Sequence, residues 1–279
     1  MNAEKVNLAI LIKSVTKMVD TVVEEPEVES ENETVENEQI SKDRLTSHID
    51  RYYLGGNVEH VKLQIQDGSL NCNFISNDQS LVGKFEVEDM PLEDCELGIY
   101  DTAKLRKLIK ILEDEIDIEV EYAAEKAKAL HMRDNFKEVD FQLGELSIIP
   151  DAPSLKQIPD FETVVTLDNQ FISDFIDAER ALKDSSTFAV QSDGSDVEVI
   201  LGYSQRGNTN KVFLNPTTER FEEMDPTMFD SSVFSEILSA NDDAEEMSWE
   251  VSSQGLSRIS FSGGDFDLTY YFVAKSEAV

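Results

Sequence analysis

The sequence predicts an α+β chain of two similar domains, each with two helices packed on antiparallel sheets. Three observations carry that expectation. Apolar residues switch repeatedly between a helical period and a period of two. A stretch with three prolines, LSIIPDAPSLKQIP, interrupts the pattern midway. The order of elements before that stretch returns after it. The expected division is residues 1–40 as an N-terminal segment, 41–145 as a first domain, 146–160 as a connector and 161–279 as a second domain.

Residues Ala3 to Val23 can form an amphipathic helix, with Ile12, Val15, Val19 and Val22 at helical spacing. Glu24 to Gln39 holds eight glutamates and no base. Like charges repel and little apolar surface is present, so this reads as a disordered loop, an inert spacer or an interaction tail. SKDRLTSHIDRYYL, from Ser41 to Leu54, reads as a helix stopped by Gly55-Gly56. Val61, Leu63 and Ile65 then alternate with polar residues. Asp67-Gly68 turns the chain, and Leu70, Cys72 and Phe74 alternate back as a hairpin. Leu81 to Val87 continues the meander.

A helix follows from Thr102. Strands are expected over Ile116–Tyr122, near Ala129–Met132 and over Val139–Leu143. Past the connector, Thr163 to Leu167 reads as a strand, and Asp168 caps a helix to about Lys183. Strands follow around Phe188–Val190, Val197–Leu201 and Lys211–Leu214. A helix is expected from about Pro226 to Ala240, and three strands close the chain.

The halves superpose as sequence. Tyr100-Asp101-Thr102-Ala103 corresponds to Phe229-Asp230-Ser231-Ser232. Leu105, Leu108 and Ile109 match Phe234, Ile237 and Leu238. Leu45, Ile49 and Asp50 match Ile172, Ile176 and Asp177. The chain therefore reads as four units, each a helix followed by a strand meander.

Charge singles out one helix. The chain carries 24 Lys+Arg against 58 Asp+Glu, a net charge of -34. Such a surface repels nucleic acid, so any contact with it must be confined to a small patch. DTAKLRKLIKIL, from Asp101 to Leu112, concentrates Lys104, Arg106, Lys107 and Lys110. Wound as a helix, it puts Leu105, Leu108, Ile109 and Leu112 on one side and the bases on the other. Such a stripe is either a solvated face or a contact for a phosphate backbone.

Other classes find little support. The three histidines, His48, His60 and His131, are scattered, with no nucleophile near them in sequence. No phosphate-binding glycine loop or zinc-protease motif is present. Acid pairs such as Asp242-Asp243 and Glu245-Glu246 lack Ca²⁺-loop spacing. The expectation is no enzyme, no metal and no cofactor. No apolar run reaches about 18 residues, so no membrane partner is expected. Cys72 and Cys95 read as reduced thiols of an intracellular protein.

The pieces resemble the DNA sliding clamps, the processivity-factor family of proliferating cell nuclear antigen and the T4-type phage clamps. The resemblance covers nearly everything after Ser41. It rests on Gly98-Ile99-Tyr100-Asp101 leading into the basic helix, on Leu-Ser-Ala-Asn-Asp-Asp-Ala-Glu from Leu238 to Glu245, and on the proline-bearing connector before a strand–helix restart. The segment before Ser41 departs from it and leaves open which helix, 6–23 or 41–54, is the first inner one.

The resemblance implies a DNA clamp fold and a homotrimeric ring encircling duplex DNA without regard to sequence. It implies partners in a clamp loader and a replicative DNA polymerase, and a cytoplasmic location (the host's, for a phage protein). The implied lining is Lys104, Arg106, Lys107 and Lys110, with Arg180 and Lys183 on the third helix and Lys42, Arg44 and Arg51 on the first. The implied groove for partner peptides is Ile148, Ile149, Leu155, Ile158 and Phe272 or Val273; those residues otherwise glue the domains together. A rival reading is an acidic β-rich interaction scaffold, or a DNA mimic that binds a basic protein.

Overall fold

The computed structural model describes residues 39–205, 207 and 209–275. The helix expected over Ala3–Val23 and the acidic loop up to Glu38 lie outside the described residues.

Among the described residues four helices alternate with strand meanders. β1 (Ile40–Ser41) leads into α1 (Lys42–Tyr53), followed by β2 (Val61–Gln66), β3 (Ser69–Ile75), β4 (Leu81–Val87) and β5 (Cys95–Ile99). α2 (Thr102–Ile109) precedes β6 (Glu115–Ala123), β7 (Lys126–Arg133) and β8 (Glu138–Gln142). After the connector, β9 (Thr163–Thr166) leads into α3 (Asn169–Ala181). β10 (Thr187–Ser192), β11 (Val197–Leu201), β12 (Val212–Leu214), β13 (Thr218–Arg220) and β14 (Met224–Asp230) follow. α4 (Ser231–Ser239) precedes β15 (Glu246–Val251), β16 (Leu256–Ser262) and β17 (Phe266–Val273).

Each helix starts where a side-chain oxygen satisfies its free amides. Ser41 Oγ accepts from Arg44 N–H at 3.2 Å in α1, and Asp101 from Lys104 N–H at 2.8 Å in α2. Asp168 accepts from Phe171 N–H at 2.7 Å, and Asp230 from Ser232 and Val233 N–H at 2.9 and 3.0 Å. α1 ends at Leu54 and Gly55, both left-handed. A side chain at Gly55 would run into the Glu236 carboxylate of α4.

The sheets repeat. β1-β6-β7-β8 in the first half has the order of β9-β15-β16-β17 in the second. Likewise β5-β2-β3-β4 has the order of β14-β10-β11-β12. Two of these four-stranded sheets fuse where β4 pairs antiparallel with β17, from Leu81↔Phe272 to Val87↔Phe266, and β13 adds to β9, giving a nine-stranded sheet. β4 and β17 are each the third strand after their helix. Their counterparts in the other halves, β12 and β8, end their sheets unpaired.

Helices cover the sheets through apolar stripes. α1 lays Leu45, Ile49 and Tyr52 on Phe74 and Phe85, beside Leu105 and Ile109 of α2. In the second half Phe175, Phe188, Phe234 and Trp249 form one aromatic cluster, with ring centroids 4.6 to 6.0 Å apart in its contacting pairs. Gly83, in the β4–β17 seam, lies under the Phe74 ring, where any Cβ would collide.

The structure corrects the helix expected over Pro226–Ala240. Residues Met224–Asp230 are strand, and the helix starts at Ser231. β14 is an end strand, and Pro226 falls where the register against β10 shifts, a place that tolerates a missing N–H. Asp230 then caps the helix, as the match to Asp101 required. Short strands β1, β5 and β13 were not legible as periodic runs.

Candidate nucleic-acid interface

α2 places its bases unequally. Leu105 and Ile109 are buried, whereas Lys104, Lys107 and Lys110 are exposed. A spacing of three residues keeps these lysines on one side of the helix, over about 9 Å at ~1.5 Å per residue. Among the described residues they form no ion pair.

Arg106 departs from the expected stripe. It grips both carboxylate oxygens of Asp50 on α1, with Nη2–Oδ2 at 2.7 Å, and its guanidinium lies 5.9 Å from the Tyr53 ring centre. The Asp50 hydrogen bond raises the Arg106 pKa further. Its charge is spent holding α1 to α2.

The cations of α1 are likewise taken. Lys42 Nζ donates to the Leu112 carbonyl at 3.1 Å and lies 3.7 Å from Asp114. Arg44 donates to Asp265 at 2.7 Å and to the Glu88 and Asp89 carbonyls at 2.8 and 3.2 Å. Arg51 is buried, with Nη2 on Asp243 at 2.7 and 2.9 Å and its guanidinium 3.8 Å above the Phe266 ring. Arg44 and Arg51, expected in a DNA lining, join α1 to the second half, and Lys42 joins it to the loop after α2; a buried arginine with its carboxylate in place is not offered to a phosphate.

The second half contributes little positive charge. Arg180 is exposed but sits 3.6 Å from Asp177, and Lys183 is exposed just past the end of α3. α3 also presents Asp174 and Glu179, and α4 has no base. Glu236 of α4 is exposed; partial desolvation, then Glu179 and Asp50, raise its pKa, against the pull of Arg106. The free cations are thus concentrated on α2.

The implied peptide groove also divides. Ile148, Leu155, Ile158 and Val273 are exposed large apolar side chains. Ile149 and Phe272 are buried and cannot serve as docking surface: Ile149 approaches Gly98, and Phe272 packs on Phe229 with ring centroids 5.5 Å apart. An ion pair between Lys62 and Asp151 ties the connector to β2. The sequence reading missed Phe213, 56% exposed on the end strand β12. The repeat held the signal, since β12 is the counterpart of β4, the strand that pairs with β17 of the other half.

The histidines serve packing and local pairing. His48 is buried, and desolvation lowers its pKa to about 4 against the raising effect of Asp265. His131 Nδ1 lies 2.5 Å from Asp140 and Nε2 lies 3.4 Å from Glu121, contacts that raise its pKa. Among the described residues no group of three or more His, Cys, Asp or Glu is placed to hold a metal ion, and no helix is long and apolar enough to cross a membrane.

This architecture is the fold of the proliferating cell nuclear antigen (PCNA) sliding clamps. PCNA from Entamoeba histolytica aligns with a TM-score of 0.66 at 14% identity, over 85% of this chain and 97% of that one. PCNA of A. fulgidus, solved with the C-terminal region of FEN-1 bound, aligns with a TM-score of 0.68 at 14% identity, over 86% and 98%. No family model and no curated protein matches the sequence.

Proposed function

We propose that this chain is a sliding clamp: a homotrimer that encircles duplex DNA and tethers a replicative DNA polymerase to its template. The observation that carries the reading is the pair of free strands β8 and β12. Within the chain, their counterparts β17 and β4 already join two halves edge to edge. Pairing β8 of one copy with β12 of the next repeats that junction. Such a head-to-tail contact generates a ring when the rotation closes, and three copies of two halves give six units.

The lysine stripe of α2 supports what the ring would hold. A clamp needs few, phosphate-directed, sequence-blind contacts, and three unpaired lysines on an otherwise anionic body supply them. Ile148, Leu155, Ile158 and Val273 support a docking place for polymerase and loader peptides at the connector. The chain acts by holding and not by catalysis. The motifs at Gly98–Asp101 and Leu238–Glu245 favour a phage-type clamp working in its host's cytoplasm.

Light scattering at micromolar concentration tests the ring, with a particle of three chains expected. Retention on primed circular DNA tests the encirclement. A closed ring survives high salt on a circle and escapes once the circle is cut. A monomer or dimer at every concentration overturns the proposal.

A further inference from the structure

The outer side of β5 is another open edge, and it faces a groove. β5 ends the nine-stranded sheet. On its outer side Gly144 N–H donates to the Gly98 carbonyl at 2.8 Å. Alternation along the strand turns the backbone N–H and C=O of Glu96, two residues earlier, the same way. Beside this edge opens a cavity of about 780 Å³, within the roughly 300–1,000 Å³ usual for ligand sites. Tyr122 and Ala127 at the β6–β7 turn, with Leu143 and Leu146 after β8, make its apolar wall. Tyr122 is half exposed and lines the groove together with Cys95 of β5.

The charge around the groove is acidic. Asp94, Glu96, Glu125 and Glu145 stand against Lys126 and Lys128, and Glu121 already holds Lys128 at 3.0 Å. We propose that this groove takes an extended, lysine- or arginine-bearing segment of a partner protein as an added strand on β5. Alternate side chains of such a segment face opposite ways. One set would meet Tyr122 and Leu143, the other the carboxylates of the rim. Backbone bonds to an open edge supply affinity and the alternating side chains supply selectivity. The site takes in Leu146 and Ser147 at the start of the connector, and it does not depend on the clamp reading.

Cys95 is a built-in reporter. The other cysteine, Cys72, is buried, and burial pushes its thiol pKa up, so maleimide labels Cys95 first. The probe is the acetylated, amidated hexapeptide Lys-Val-Lys-Val-Lys-Val, added to the full chain. At about ten times its Kd it leaves about a tenth of the grooves open, so Cys95 alkylation slows roughly tenfold. The same peptide with proline in place of valine keeps the charge but loses every second backbone N–H and the valine side chains, and it should not protect. Anisotropy of the fluorescein-labelled peptides reports the same contrast if the thiol reacts too slowly to follow. Reversal of Glu96 and Glu145 to lysine should abolish binding of the valine peptide. Equal behaviour of the two peptides, or binding by neither, overturns the proposal.

Discussion

Arg51 of α1 and Asp243, in the loop after α4, form a two-bond ion pair that joins the halves at 2.7 and 2.9 Å. The Arg51 side chain is 3% exposed and Asp243 57%. Its carbonyl also accepts the Tyr270 hydroxyl at 2.6 Å, and Asn241 donates to that hydroxyl at 2.9 Å. Arg51 is thus bonded to two residues of the second half, one of which Asn241 holds in place.

Removing Asp243 leaves a buried guanidinium without its counter-charge. Loss of one partner of a fully buried pair costs about 3–5 kcal/mol, and the exposure of Asp243 lowers that, because water reaches the vacated side. Asp243→Asn should destabilise the chain by about 1–3 kcal/mol, read as a lower urea midpoint. An unchanged midpoint would mean that the Phe266 ring and the Ser47 hydroxyl, which accepts from Arg51 Nη1 at 2.5 Å, suffice to hold Arg51.

His48 lies between Arg44 and Arg51 on the same face of α1, 3.6 Å from Asp265. Burial lowers its pKa to about 4, whereas the unfolded chain titrates near 6.5. The unfolded state therefore binds the proton first as pH falls. Stability from this site is complete above about 6.5 and drains away between about 6.5 and 4, by up to ~3 kcal/mol at ~1.4 kcal/mol per unit. His48→Leu should flatten that part of the pH profile relative to the parent chain. Parallel profiles from pH 7 to 4 would rule the site out as the cause.

Local features were legible and distant pairings were not. Ser41, Asp101, Asp168 and Asp230 announce helix starts because a cap acts within three residues. Lys104, Lys107 and Lys110 were readable as a stripe because helical period alone sets their common side. Arg44 and Arg51 looked equivalent to them, since their partners Asp265 and Asp243 lie 221 and 192 residues away. Arg106 was misread for the same reason, with Asp50 on another helix. β13 was missed because three residues carry no period, and Pro226 suggested a helix start where an edge strand accommodates it. The repeat was the most informative long-range signal, because it fixed Asp230 against Asp101 and set the helices of one half against those of the other.

Phe213 offers a direct test of the ring. It stands exposed on β12 and pairs only inward, with Ile200 of β11. Phe213→Asp should leave the fold of the single chain intact by circular dichroism, because an exposed position away from caps and pairs shifts intrinsic stability by about 0.5 kcal/mol or less. The mass by light scattering should fall from three chains to one. A variant that stays trimeric would move the subunit contact away from β12.

The lysines of α2 separate holding DNA from holding the fold. Lys104→Glu, Lys107→Glu and Lys110→Glu together remove three unpaired cations and break no ion pair among the described residues. The triple variant should melt with the parent chain and remain a trimer, yet lose stimulation of the polymerase on primed DNA. Neutral glutamines in the same positions should flatten the dependence of DNA binding on salt. Each phosphate contact contributes about -0.9 to the slope of log K against log salt, so three lost contacts remove roughly 2.7 per chain. Arg106→Gln is the matched contrast. It deletes a base from the same helix but breaks the Asp50 pair, so it should lower stability and leave the salt slope nearly intact. If the triple variant stimulates polymerase as the parent does, the stripe is an ordinary solvated face. If Arg106→Gln changes the slope as much as a lysine does, its pairing with Asp50 does not keep it from phosphate.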